Sequence, residues 1–88
     1  MEEKILNTLK EVLDDINMDD KRALELISND DTNLIEVFSL DSFIRVQLVI
    51  ELEETFDIEI DMEKIDAATF EQSKNLKQLL KDAMNGDN

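Results

Sequence analysis

The sequence predicts an all-α domain: a small four-helix bundle with three main helices, one short helix and a long loop between helices one and two. Three observations carry this expectation. Apolar residues recur at spacings of three and four near both ends and in the middle of the chain, which is the period of helices that bury one face. There is no proline and a single glycine, Gly86, so nothing interrupts those periods. The one alternating stretch, Asp57-Ile-Glu-Ile-Asp61, is five residues long, and an isolated strand of that length has nothing to pair with.

Helix one is predicted over about residues 2–16, with Ile5, Leu6, Leu9, Val12, Leu13 and Ile16 facing inward. Residues 17–40 are richer in Asp, Asn, Ser and Thr and read as loop, with a short helical turn around 21–27. Leu34, Ile35, Val37, Phe38 and Leu40 anchor that loop onto the core, and so long a connection in so small a domain points to function. Helix two spans about 42–55. At about 100° per residue, Val46, Leu48, Val49, Leu52 and Phe56 share one sector suited to the core. Residues 57–61 make an extended connector that buries Ile58 and Ile60. A short helical turn at about 62–65 follows, and a last helix at about 73–84 turns Leu76, Leu79, Leu80 and Ala83 inward. The 88 residues form a single domain, too short for two independent cores, with an ordered part over about 2–84 and a frayed tail at 85–88.

Composition excludes several kinds of chemistry. Without Cys or His there is no cysteine nucleophile, no Ser-His machinery, no thiolate or imidazole metal site and no disulfide. A self-sufficient enzyme is not expected. With 23 acidic against 9 basic residues and a net charge of −14, the surface repels nucleic acid and anionic lipid and attracts partners that present Lys and Arg. No apolar run approaches the roughly 20 residues that span a bilayer, and Met-Glu-Glu-Lys is not a signal sequence. A monomeric, cytoplasmic protein that does not insert into membranes is expected. The alternating acids Asp57, Glu59, Asp61 and Glu63 lack the glycine and the bidentate Glu of a calcium loop, so no metal ligand set is assigned.

Function concentrates at the start of helix two. Asp41 can cap that helix with its carboxylate, which leaves Ser42 at the first helical position with its hydroxyl at an exposed corner. Phe43 and Ile50 project away from the core sector, rimmed by Gln47, Glu51, Glu53 and Glu54. An apolar pair edged by acids suits a basic, partly apolar partner, because the charges steer and the apolar contact holds. The competing reading has Phe43 or Ile50 packed under the long loop.

The stretch from Asp31 to Ile60 resembles the phosphopantetheine-bearing carrier proteins, the family of acyl, peptidyl and D-alanyl carriers. The resemblance rests on Asp31-Thr-Asn-Leu-Ile in the loop, Leu40-Asp-Ser-Phe at the attachment motif, Val46-Gln-Leu-Val-Ile-Glu-Leu-Glu-Glu in the helix and Phe56-Asp-Ile-Glu-Ile after it. It implies that a phosphopantetheinyl transferase moves 4'-phosphopantetheine from coenzyme A onto Ser42, with Asp41 as part of the motif. An acyl- or aminoacyl-loading ligase would then charge the arm as a thioester, and downstream synthase enzymes with basic docking patches would use it. A chain without cysteine can do thioester chemistry in this way because the sulfur arrives on the prosthetic group.

Three features depart from the commonest pattern of that family. Phe43 stands where Leu is usual, Ser39 where Gly is common, and Gln47 at a position acidic in many fatty-acid carriers, which resembles specialised carriers more than the housekeeping one. Arg45, with Val46 and Val49, borders the sector where a cargo cavity would open. Arg45 there either narrows and polarises the entrance, favouring short or polar cargo, or extends to water and pairs with a nearby acid. The cargo itself, whether fatty acyl, polyketide or amino acid, is not written in the chain. The residues alone leave a second class open, an unmodified acidic helical adapter for basic proteins.

Overall fold

Aspartate and asparagine side chains start most of the helices. The structure, a computed structural model, describes residues 1–86. Helix α1 is Glu2–Val12, α2 Asp20–Ser28, α3 Leu34–Phe38, α4 Ser42–Phe56, α5 Ala67–Glu71 and α6 Ser73–Met84, with a 3₁₀ turn at Met62–Lys64 before α5. Asp19 caps α2 by accepting the Arg22 N–H, Asn33 caps α3 by accepting that of Glu36, and Asp41 caps α4 by accepting that of Ile44. Asp61 does the same for the 3₁₀ turn, and Asp66 forms a reciprocal capping box with Thr69 at α5. Each cap satisfies N–H groups that a helix start otherwise leaves without a partner.

The predicted all-α bundle is present. α1 packs against both α4 and α2, α5 against α6, and α3 against α5. The shared core includes Ile5, Leu9, Ile27, Leu48, Leu52, Phe70, Leu76 and Leu80, each at most 1% exposed. Thr8 lies buried where α1 meets α4; its hydroxyl donates to the Lys4 carbonyl at 2.7 Å and pairs with the Thr55 hydroxyl at 3.2 Å. No helix among the described residues is long and apolar enough to cross a membrane.

The start of α6 is fastened to the end of α2 and the loop after it. The backbone N–H groups of Ser73 and Lys74 donate to the carbonyls of Thr32 and Asp30 at 2.8 and 3.0 Å, and the Ser73 hydroxyl donates to the Ile27 carbonyl. The Lys77 ammonium donates to the Ser28 carbonyl at 3.2 Å and to Asp30 at 3.0 Å, with Glu2 at 3.9 Å. It therefore sits at the C-terminal end of α2, whose last turn carries no basic residue of its own.

Several boundaries differ from those the sequence suggests. Helix one stops at Val12 instead of residue 16: Leu13 is already extended, and Asp14 and Asp15 would place two negative charges at the negative end of the helix dipole. The turn expected at 21–27 is a full nine-residue helix, α2, and the anchoring segment of the loop is itself helical as α3. α5 was not anticipated. Asp57 does not begin an extended run; it ends α4 in the left-handed conformation (φ 53°, ψ 54°). Ile60 is buried as expected, while Ile58 is half-buried. Val46 leaves the core sector, being 48% exposed, and Phe56 is half-buried with the Lys4 ammonium 5.4 Å from its ring centre. Of the tail expected to fray, Asn85 and Gly86 follow α6, and residues 87 and 88 lie outside the described residues.

Candidate functional site

The site is built on the three-residue join between α3 and α4. α3 ends at Ser39, which takes the left-handed conformation (φ 55°, ψ 50°), and the Leu40 N–H returns to the Ile35 carbonyl at 3.0 Å. Leu40 is buried and acts as an anchor. Asp41 is extended (φ −74°, ψ 176°), its carboxylate accepting the Ile44 N–H at 2.8 Å and its carbonyl accepting the Arg45 N–H at 2.9 Å. The chain thus enters α4 with fixed direction, and Ser42 occupies the first helical position with an exposed side chain. The free N–H groups of that first turn and the helix dipole favour negative charge beside the Ser42 hydroxyl.

Arg45 folds back along the same turn. Its Nε–H donates to the Asp41 carbonyl at 3.3 Å and its Nη2 donates to Ser42 Oγ at 3.2 Å. The side chain is half-buried, and it makes no ion pair with an acid among the described residues. A guanidinium has five N–H donors, so most of its hydrogen-bonding capacity stays available beside the serine.

A groove of about 240 Å³ opens next to the hydroxyl. Ser42, Arg45, Val46 and Val49 form the α4 wall; Met62, Ile65, Asp66 and Phe70 form the other. Asp66 is committed at the floor of α5, where its Oδ1 accepts from the Thr69 N–H at 3.2 Å. The remaining lining is apolar apart from the Ser42–Arg45 end. The sequence expectation does not include this second wall, although Ile65 and Phe70 flank the Asp66-Ala-Ala-Thr69 capping signal that marks a helix start there.

The opposite flank of α4 presents Phe43, 70% exposed, and Ile50, 47% exposed, so neither packs under the loop. Gln47 and Glu54 are exposed beside them and Glu51 is half-buried. Gln47, Ile50 and Glu51 join Glu11 and Val12 of α1 around a cleft of about 220 Å³, which extends this surface onto a helix the sequence had not assigned to it. Glu53 has a different position: its carboxylate accepts the Ile60 N–H at 2.9 Å and holds the connector after α4.

Residues 3–81 match a family model described as a phosphopantetheine attachment site. No curated protein and no solved structure matches the chain at a significant level.

Proposed function

The chain belongs to the phosphopantetheine-attachment family, so it is a carrier domain for a 4'-phosphopantetheine group, and we propose that Ser42 is the residue that bears it. The observation that carries this assignment is the exposed hydroxyl at the first position of α4, locked by the Ser39 turn and the Asp41 cap beside an apolar groove. The surroundings fit the group. An arm that swings between enzymes needs its root on a rigid element, and a phosphodiester at a helix start meets the positive end of the dipole. In the transfer, Ser42 Oγ forms a bond to phosphorus as the bond to the departing adenosine 3',5'-bisphosphate breaks, and the hydroxyl proton passes to a base on the transferase. The arm supplies the thiol that this chain lacks.

The cargo is an acyl or aminoacyl group held as a thioester. A groove of about 240 Å³ is smaller than the roughly 300–1,000 Å³ of drug-sized ligand pockets, and Arg45 polarises its serine end, which supports a short or polar load. Loading and consuming enzymes approach over Phe43, Ile50, Gln47, Glu51 and Glu54, where the acids steer basic patches toward an apolar pair. In this role the chain is a substrate and shuttle rather than a catalyst, acting as a monomer in the cytoplasm.

Incubation with coenzyme A and a broad-specificity phosphopantetheinyl transferase, followed by intact-mass measurement, tests the assignment. Wild type is expected to gain one phosphopantetheine and Ser42→Ala none. No gain in folded wild type returns the chain to an unmodified adapter; a gain that survives in Ser42→Ala moves the attachment elsewhere.

A further inference from the structure

Arg45 lies one turn along α4 from Ser42, half-buried, with its Nη2 on Ser42 Oγ at 3.2 Å. The other bond it makes, to the Asp41 carbonyl at 3.3 Å, is long and holds the planar fork against the helix start without saturating it. In a chain with 23 acids a guanidinium normally finds a carboxylate, as Arg22 does with Glu25 at 3.7 Å. Arg45 has none among the described residues; the carboxylate of Asp41 in its own turn caps α4, and that of Asp66, which lines the same groove, caps α5. Among the residues that line the groove, it is the one cation.

We infer that Arg45 is the receptor for the phosphodiester at the root of the arm, donating its spare N–H groups to the non-bridging phosphate oxygens and fixing the arm's first bonds over the groove; this rests on the reading of Ser42 as the attachment residue. A phosphate esterified to Ser42 Oγ places its non-bridging oxygens two bonds beyond the atom that Nη2 already reaches. A planar guanidinium matches phosphate with two parallel hydrogen bonds, and such charge-assisted bonds are shorter and stronger than neutral ones. The anion also needs a local counter-charge, since it joins a chain of net charge −14. With its root held on the Arg45 side, the arm leaves the serine across Val46 and Met62 instead of over Phe43. Arg45 is in these terms a positioning residue, acting on the direction of the arm rather than on the transfer.

The test uses the full chain without any cargo, so that the phosphodiester is the only new anion. Wild type, Arg45→Gln and Arg22→Gln are treated with coenzyme A and the transferase, and intact mass is read first. A wild type that gains no mass removes the attachment reading and this inference with it, and does so in the mass spectrum. In loaded protein, the ³¹P resonance of Arg45→Gln is expected to move from its wild-type position by more than the linewidth, while that of Arg22→Gln coincides with wild type. In wild type alone, the Arg45 guanidinium protons are expected to exchange with water about fivefold more slowly after loading, the factor that one net hydrogen bond of ordinary strength provides. Coincident ³¹P positions for wild type and Arg45→Gln, or guanidinium exchange unchanged by loading, overturns the inference. The second measurement needs no variant and decides the matter even if Arg45→Gln does not fold.

Discussion

Two cationic side chains, Lys77 and Arg45, both lie against helix ends, and they are used in opposite ways. Lys77 has a side chain only 10% exposed, and its ammonium is spent on the Ser28 carbonyl, Asp30 and Glu2, with the Ser73 hydroxyl closing the same seam onto Ile27. Arg45 is more open and makes two long hydrogen bonds to its own helix turn. Burial explains the difference. A charge removed from water must have its donors satisfied within the fold, so the Lys77 seam is saturated and rigid. A charge left partly in water can keep donors in reserve, and Arg45 keeps them next to the exposed Ser42 hydroxyl at the start of α4.

The largest effect is expected at the saturated end. Lys77→Ala removes a buried stem, two hydrogen bonds and the cation at the α2 C-terminus, and is expected to destabilise the fold by about 2–3 kcal/mol in urea unfolding. Lys77→Met keeps the stem and is expected to recover part of that loss. Loading of the folded fraction of either variant should match wild type, since the seam lies away from the serine. A Lys77→Ala protein with unchanged midpoint would mean that the seam contributes nothing and would erase the contrast with Arg45.

How far each region was legible in the sequence follows the same division. The proposed attachment site lies within one local pattern: Leu40, Asp41, Ser42 and the apolar rows of α4 occupy one run, and helix periodicity needs no tertiary knowledge. The Lys77 seam does not, because it joins residues 46 to 49 positions apart, and nothing local distinguishes Lys77 from the exposed Lys74 or Lys81. The segment between α1 and α4 departs from its expected loop for a different reason. Its Asp and Asn residues look like loop composition, yet Asp19 and Asn33 are the caps that start α2 and α3. Val46 left the core sector because the neighbouring wall, formed by Met62 and Phe70, stands off from α4 and leaves the groove between them. The helix wheel supplies a direction, not the distance to whatever lies in that direction.

Smaller effects belong to the join itself. Asp41→Ala removes the cap on the very turn that carries Ser42 and Arg45, at a cost of about 1 kcal/mol. Because that turn holds little else in place, the Ile44 amide is expected to exchange about fivefold faster, the equivalent of that free energy, and loading should slow. An unchanged Ile44 exchange rate would show that the turn is held by something other than the cap. Ser39→Gly acts in the other direction. The left-handed conformation strains a residue with a Cβ by roughly 1–2 kcal/mol, glycine's greater freedom in the unfolded chain returns about half of that, and a gain of about 0.5 kcal/mol is expected in the same unfolding measurement.

The smallest effect on stability should come from Arg45→Gln, and its smallness sharpens the contrast. The side chain hydrogen-bonds only within its own helix turn among the described residues, its hydrogen bonds are 3.2 and 3.3 Å long, and one of its two acceptors, Ser42 Oγ, belongs to an exposed residue. Water replaces such bonds at little cost, so the unfolding free energy of the apo chain is expected to change by less than about 0.5 kcal/mol. After loading, the balance shifts. If Arg45 holds the phosphodiester, the loaded wild type becomes more stable than apo by an amount that loaded Arg45→Gln does not reproduce, because only the folded helix sets the guanidinium beside the phosphate. A loss well beyond 0.5 kcal/mol in the apo variant would instead make Arg45 a second Lys77, a residue that the fold consumes, with nothing in reserve for the arm.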